Sequence, residues 1–243
     1  MGISTDEWGR LILEGAAELG LAVSQAELAA YREHCALLLE CNERAGLTAI
    51  TDPASAAIKH FVDSLTCLLV RDITPGERVA DVGSGAGFPG LVLAVARPAA
   101  SYLLIESVRR RAEFLAVVKE RLGLGNVTVL TVRAEDVGRD AAHRERCDVA
   151  VGRAVGSLPV MLEYCLPLVR VGGAVIVQKG REVQKELERA SRALEVLGGR
   201  VSETRRLCLP NRMGQRVLIL IEKVAHTPPR YPRRAGLPAK RPL

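Results

Sequence analysis

Three glycines that follow a carboxylate, within residues 81–90, are the residues of this sequence best suited to binding chemistry. The stretch reads Asp-Val-Gly-Ser-Gly-Ala-Gly-Phe-Pro-Gly, and an apolar strand is predicted at 79–82. Glycine has no Cβ, so the chain can turn tightly here and approach a ligand closely. Pro89 suits the first turn of a following helix, where its missing N–H would have no partner. A strand, a glycine turn and a helix N-terminus together predict a site for a nucleoside-containing cofactor.

The glycines alone fit two kinds of cofactor. Residues 85–90 formally match the Gly-x-Gly-x-x-Gly pattern of dinucleotide sites, and residues 83–87 match the looser pattern of S-adenosylmethionine enzymes. Asp81 favours the second pattern, because a carboxylate there can accept from the cationic end of a methionine moiety but would face a pyrophosphate unfavourably. A glycine turn that only packs a helix on a strand is the alternative without a ligand.

Acidic residues follow the next two predicted strands. A strand at 101–105 ends in Glu106, the position at which such sites grip a ribose diol. A third strand, at 128–132, is followed by Ala134 and Glu135, next to the expected place of an adenine ring. The sequence therefore predicts that Asp81, Gly83, Gly85 and these residues share one cofactor site at the carboxyl ends of a parallel sheet.

The 243 residues divide into three predicted parts. Residues 1–74 have helical spacing, with caps predicted at Ser4 and Ser24, and form an N-terminal helical extension. Strands and helices alternate over residues 75–225 and close with a hairpin around 210–214, which predicts an open, mostly parallel α/β sheet with a mixed edge. Residues 226–243, the C-terminal segment, are rich in proline.

Composition indicates the compartment of the protein and argues against a metal or a membrane partner. The six cysteines are scattered without metal-ligand spacing, which predicts reduced thiols, no metal and a cytoplasmic protein. No apolar run is long enough to span a bilayer, so no membrane partner is expected.

The C-terminal segment carries much of the net charge of +6. It contains no acid and five of the twelve prolines, so an extended, non-helical tail that suits a polyanion is predicted. A solvated terminus with no partner is the alternative. The candidate RNA-binding cations are Arg230, Arg233, Arg234, Lys240 and Arg241.

The residues after the fourth predicted strand, at 147–152, indicate the kind of methyl acceptor. They lack the Asp/Asn-Pro-Pro-aromatic loop that holds exocyclic amines, and Cys147 lies at the wrong end of the strand to act as a nucleophile. Guanine N7 needs neither device, because its lone pair is exposed and alignment alone can lower the barrier by roughly 7–11 kcal/mol. Arg153 and Lys179, at the tips of the fourth and fifth strands, are the candidate catalytic residues. They could hold a phosphate, the guanine edge or the methionine carboxylate.

These motifs resemble a known family. The block 81–90, Arg153-Ala154, Lys179-Gly180 and the tail motif Tyr-Pro-Arg-Arg at 231–234 are similar to the bacterial 16S ribosomal RNA guanine-N7 methyltransferases, also called glucose-inhibited division protein B or the RsmG group. The similarity runs from about residue 40 to the C-terminus.

The resemblance implies a class I S-adenosylmethionine-dependent methyltransferase with a Rossmann-like, mostly parallel seven-stranded sheet. It implies methylation of one guanine in the decoding-region (530) loop of 16S RNA, and a monomer whose partner is that RNA or the small ribosomal subunit. By the same implication Glu106 takes the ribose position, and the residues that contact the cofactor are Gly83, Phe88, Ala134, Glu135 and Arg153.

Other functions fit the sequence less well. A methyltransferase that acts on another RNA is one alternative. A methyltransferase that acts on a small molecule or a protein is another, but it would leave the basic tail unexplained. A nicotinamide oxidoreductase is a further alternative, but Asp81 would face the pyrophosphate of its cofactor unfavourably. A cofactor-free RNA-binding protein is the last alternative, and it would leave the three strand-end acids without a function.

Overall fold

The computed structural model describes residues 4–243, and a seven-stranded sheet forms its centre. The strands are β1 (Arg78–Val82), β2 (Ser101–Ile105), β3 (Val127–Leu130), β4 (Cys147–Arg153), β5 (Val169–Lys179), β6 (Gly199–Cys208) and β7 (Gln215–Lys223). Their order across the sheet is β3-β2-β1-β4-β5-β7-β6. The first five strands pair in parallel, and β7 pairs antiparallel with β5 and β6. The predicted open sheet with a mixed edge is confirmed.

Helices cover both faces of this sheet. They are α1 (Thr5–Glu18), α2 (Gln25–Ala45), α3 (Pro53–Ala56), α4 (Asp63–Leu65), α5 (Gly90–Ala96), α6 (Arg109–Arg121), α7 (Ala134–Arg139), α8 (Leu158–Cys165), α9 (Gln184–Arg189), α10 (Ser191–Leu197) and α11 (Leu237–Lys240). A π-helical turn (Ala57–Val62) joins α3 to α4, and a 3₁₀ turn (Thr66–Leu69) follows α4. Residues 53–69 are thus helical throughout but change their hydrogen-bond spacing.

The N-terminal helices begin where their caps predict. The Ser4 hydroxyl accepts from the amide of Glu7 at the start of α1. Ser24 and Glu27 form a reciprocal capping box at the start of α2, with each side chain accepting from the other's backbone N–H. Such caps satisfy amides that have no partner inside the helix and typically stabilise it by about 1 kcal/mol.

Two hydrophobic cores lie on opposite faces of the sheet. Val79 of β1 faces a core that also holds Trp8 and Phe61 of the N-terminal helices, whereas Ala80 faces a core with α7, α8 and α10. This alternation follows from the two-residue period of a strand. The N-terminal helices therefore pack directly on the sheet and help to position its carboxyl edge. The division between residues 74 and 75 stays a prediction.

Two elements after β4 are irregular. The strand β5 is long, because it continues from Val169 through two glycines with a register shift against β4. A Cβ on Gly173 would lie 2.5 Å from the carbonyl oxygen of Asp148, so only glycine allows this close pairing. The chain after Arg181 forms two short helices, α9 and α10, that meet at Ala190.

Candidate active site

The loop after β1 adopts a conformation that requires glycine. Gly83, Gly85 and Gly87 have φ values of +71°, +56° and +92°, a region that L side chains rarely occupy. A Cβ on Gly83 would also lie 2.5 Å from Cγ2 of Val155, in the loop after β4. The glycines thus let two strand-end loops approach each other at the carboxyl edge of the sheet, where parallel α/β proteins bind ligands.

Glu106, at the end of β2, organises this loop. One carboxylate oxygen accepts from the amide of Gly85 at 2.9 Å, and the other accepts from the amide of Val108 at 2.7 Å. Only 5% of the residue is exposed. Each oxygen still has lone-pair capacity for a second donor, such as a hydroxyl. Gly85 therefore contributes to the site by holding the carboxylate of Glu106 in position.

A first cavity of about 230 Å³ opens beside Glu106. It brings together the ends of β1, β2 and β3 and the loop after β4, as the strand-end pattern predicts. Its lining residues are Val82, Gly83, Ile105, Glu106, Ser107, Val132, Arg133, Ala134, Glu135, Val155, Tyr164 and Ala239. Four predicted cofactor residues, Gly83, Glu106, Ala134 and Glu135, are among them. Ala239 of α11 is a lining residue that no sequence pattern indicated.

Asp81 is held by the start of α5. Its carboxylate accepts from the amide of Gly90 at 3.0 Å, at the start of α5, and only 1% of the residue is exposed. Burial raises the pKa of Asp81 to about 7. The residue does not line the first cavity. Asp81 therefore fixes the start of α5, and its predicted contact with the cofactor stays a prediction.

Phe88 is buried between two histidine rings. Its ring stacks on His34 at 4.8 Å and on His60 at 4.4 Å between centroids, with interplanar angles of 13° and 9°. Burial lowers the pKa of His34 to about 4 and, with the nearby Arg153 charge, that of His60 to about 3, so both rings are neutral at pH 7. Phe88 does not line the first cavity, and its predicted contact with the cofactor stays a prediction.

A second cavity of about 340 Å³ lies at the carboxyl end of β4. Arg153 and Ala154 line it, whereas Val155 lines the first cavity. Its other lining residues are Ile50, Lys59, His60, Asp63, Gln178, Lys179, Gly180 and Arg216. Both predicted catalytic residues, Arg153 and Lys179, are therefore in one cavity. Arg153 does not line the first cavity, and its predicted contact with the cofactor stays a prediction.

Internal contacts hold the two predicted cations of the second cavity. Arg153 donates to the carbonyl oxygen of Lys59 at 3.0 Å and to the carboxylate of Asp63 at 3.1 Å, and its guanidinium carbon lies 5.3 Å from the centre of the Phe88 ring. Lys179 pairs with Glu186 at 2.8 Å. These contacts fix the positions of both side chains at the cavity wall.

Sequence reasoning missed two residues of this cavity. Asp63 is completely buried, and Nε of Arg216 donates to both of its oxygens, at 3.0 and 2.9 Å. The carboxylate thus lies between the guanidinium groups of Arg153 and Arg216. An aspartate within the apolar run 61–65 was the available indication, since a buried charge requires a partner. Nothing in the sequence around Arg216 indicated that it was this partner.

The C-terminal segment is not an extended tail. It is folded against the sheet domain and contains the short helix α11, so the prediction of a non-helical tail was wrong. Nη2 of Arg233 lies 2.6 Å from Oε2 of the buried Glu163 carboxylate, and this ion pair leaves the guanidinium poorly placed to contact RNA. The other four candidate cations, Arg230, Arg234, Lys240 and Arg241, are exposed.

Three further findings concern metals, cysteines and membranes. Among residues 4–243, no three His, Cys, Asp or Glu side chains come together as metal ligands would. All six cysteines are free, and burial raises the pKa of the Cys147 thiol to about 11. Within the described part of the chain, no helix has the length and apolar character needed to cross a membrane.

The sheet order and the loop after β1 define the class of this protein. Cofactor-bound Rv0187 from MTB matches with a TM-score of 0.56 and 21% identity, over 79% of this chain and 89% of that one. M. jannaschii TYW2 in complex with AdoMet matches with a TM-score of 0.52 and 15% identity, over 67% and 76%. The fold is that of the class I S-adenosylmethionine-dependent methyltransferases.

Sequence comparison defines the family. The model of rRNA small subunit methyltransferase G (GidB) matches residues 27–213. The ribosomal RNA small subunit methyltransferase G of Symbiobacterium thermophilum is 48% identical over 238 residues, 96% of this chain and 97% of that protein. The protein of the same name from Pelotomaculum thermopropionicum is 44% identical over 232 residues, 96% and 97%. The chain belongs to this family, as its motifs predicted, and its cofactor is S-adenosylmethionine.

Proposed function

We propose that this protein transfers the methyl group of S-adenosylmethionine to N7 of one guanine in the 530 loop of 16S ribosomal RNA, in the cytoplasm. The observation that carries the proposal is the pair of cavities on either side of residues 153–155. One presents strand-end carboxylates and the other presents cations. Because the consecutive residues Ala154 and Val155 line different cavities, we propose that the methyl group passes from the first cavity to a base in the second at this loop.

The residues of the first cavity fit the proposed cofactor. Glu106 has unused acceptor capacity for the two ribose hydroxyls, and Ala134 offers a small side chain beside the expected adenine plane. Glu135 is buried and accepts from the backbone amide of Gly236 at 2.8 Å. When bound, S-adenosylmethionine supplies an electrophilic methyl group on a positively charged sulfur. Gly83 lets the backbone approach it.

The second cavity suits an acceptor atom with no proton to lose. Asp63 is held by two guanidinium groups, and His60 shares its ring nitrogens with Thr48 and Arg153. No carboxylate or imidazole in this lining is therefore free to act as a general base. Guanine N7 requires none, because its lone pair forms the new N–C bond while the electrons of the C–S bond return to sulfur.

Arg153 is proposed to orient the guanine. For N7 to attack, its lone pair must stay free, so a guanidinium donor would have to hold O6 or a neighbouring phosphate. Lys179 lies in the same wall and offers a second cation for a phosphate. The contribution of both residues is alignment, which can supply roughly 7–11 kcal/mol of the barrier reduction.

The path of the RNA is proposed to pass over a third cavity beside the second. This cavity has a volume of about 310 Å³, and Arg216 lines both. Arg181 and Arg206 also line it, and no acid is among its described lining residues. Three guanidinium groups suit the phosphate oxygens of a single strand. The exposed cations of the C-terminal segment would contact RNA farther away.

Methylation of unmodified 16S RNA and of unmodified small subunits tests the proposal. The purified protein is incubated with S-adenosylmethionine and each substrate, and the RNA is digested and analysed by mass spectrometry. The expected product is 7-methylguanosine in the fragment that contains the 530 loop. A methyl group on another base or another RNA would contradict the proposal. Arg153→Ala is expected to abolish most turnover, and the affinity of the variant for S-adenosylhomocysteine separates the orientation of the guanine from the predicted cofactor contact of Arg153.

A further inference from the structure

The C-terminal segment is anchored to the protein through its backbone. Arg144 donates to the carbonyl oxygens of Thr227 and Tyr231, at 2.6 and 2.7 Å. Arg139 donates to the carbonyl oxygen of Pro232 at 2.8 Å. Two arginines of the sheet domain thus bind the carbonyl groups of the C-terminal segment. A tail that only binds RNA would not require these contacts.

A buried ion pair fixes the next part of the segment. Glu163 of α8 is completely buried, and it accepts from the Arg233 amide at 2.8 Å and from Nε and Nη2 of Arg233 at 2.8 and 2.6 Å. A buried carboxylate without such a partner would be costly. Because the backbone and the side chain of Arg233 bind the same group, the direction of the chain after residue 233 is fixed.

The chain after Arg233 leads directly to the first cavity. The amide of Gly236 donates to Oε1 of Glu135 at 2.8 Å, and Ala239 of α11 is part of the cavity lining. Ala239 lies in the same lining as Glu106 and Ala134. The C-terminal segment thus supplies a wall of the cavity that the strand ends leave open.

We propose that residues 233–243 are part of the cofactor site and form its outer wall over the adenosyl group. This inference rests on the proposed assignment of the first cavity to the cofactor. A wall at this position excludes water from Glu106, and hydrogen bonds of a carboxylate to the ribose hydroxyls are stronger in a drier site. The pair of Arg233 with Glu163 positions the wall, and Gly236 joins it to Glu135.

Binding of S-adenosylhomocysteine to three variants of the full protein tests the inference. The first variant ends at Ala235 and so lacks α11. The second is Ala239→Trp, which places a large ring in the cavity and keeps the segment attached. The third, the matched control, replaces three exposed cations of α9 and α10, Lys185, Arg189 and Arg192, with alanine and keeps the wall.

Isothermal titration calorimetry is expected to show that the first two variants bind S-adenosylhomocysteine at least about tenfold more weakly than the parent protein, and that the control binds it with unchanged affinity. Thermal unfolding checks that each variant is folded. If the shortened chain does not fold, Ala239→Trp decides, because its side chain is exposed and the ion pair of Arg233 is retained. In the parent protein, S-adenosylhomocysteine is expected to slow tryptic cleavage after Lys240.

Two outcomes separate the inference from the cofactor assignment. If both wall variants bind like the parent while Glu106→Gln binds weakly, the wall is refuted and the first cavity remains the cofactor site. If Glu106→Gln also binds like the parent, the assignment of the cavity itself is wrong, and the inference falls with it.

Discussion

Glu106→Gln is the change that tests the cofactor site most directly. The carboxylate has two acceptor oxygens, and each already accepts one backbone N–H, from Gly85 and from Val108. Glutamine has the same shape but one acceptor oxygen, and its NH₂ group cannot accept. In the variant, one of the two amides therefore faces a donor inside a site where only 5% of residue 106 is exposed.

The magnitude follows from these contacts. Leaving one buried amide without an acceptor costs about 1–3 kcal/mol of folding stability. The ribose hydroxyls lose a charged acceptor, which contributes about 1.5–3 kcal/mol, and gain at best a neutral one, which contributes about 0.5–1.5 kcal/mol. The difference of roughly 1–1.5 kcal/mol corresponds to about tenfold weaker binding of the cofactor.

Calorimetric titration with S-adenosylhomocysteine and urea unfolding measure the two effects separately. Glu113→Gln on α6 is the matched control, because Glu113 pairs with Arg109 alone among residues 4–243, and the side chains of Glu113 and Arg109 are 62% and 88% exposed. The control is expected to keep its affinity and to change stability by less than about 0.5 kcal/mol. A folded Glu106→Gln protein with the parent affinity would refute the ribose assignment.

Three further predictions concern residues around the site. Asp63→Asn is expected to lower the free energy of unfolding by about 3–5 kcal/mol and to reduce turnover, measured by urea unfolding and methyl transfer, because two guanidinium groups lose their shared carboxylate; an equally stable, fully active variant would contradict this. Cys147→Ser is expected to keep full activity in the same assay, since no covalent step is proposed, and an inactive folded variant would reopen that question. Burial lowers the pKa of His34 from 6.5 to about 4. Between those values the unfolded chain takes up a proton that the native protein does not, so stability falls on acidification, and His34→Gln is expected to flatten this slope in unfolding curves from pH 7 to 4.

The strand-end acids could be predicted because their place follows from chain order alone. In a parallel sheet with βα connections the carboxyl ends of successive strands lie at one edge, so Glu106 and Glu135 had to lie near the glycine loop. The hydrogen bond from the amide of Gly90 to Asp81 could not be derived in this way. It depends on the face of β1 to which the side chain points and on the position of Gly90, and both are set by packing.

The C-terminal segment shows why composition alone misled. Five cations without an acid suggest a free polyanion-binding tail, but the acid that pairs with Arg233 lies seventy residues earlier in the chain. The helix 158–165 did contain an indication, because Glu163 is its only charged residue among apolar neighbours. A charge on such a helix needs a partner. Its identity depends on the path of the chain after β7, which the sequence does not reveal.

The arrangement of charge in the second cavity bears on the reaction itself. Methyl transfer moves one positive charge from the sulfur of the cofactor to the guanine ring. Two bare arginines around the base would oppose that movement, since like charges repel most strongly where water is excluded. Asp63 lies between Arg153 and Arg216 and pairs with both. In the proposed reaction, the buried carboxylate would let the cavity keep guanidinium donors for O6 or phosphate while offsetting part of the repulsion that the methylated base meets, which is a reason to place a costly buried charge at this wall.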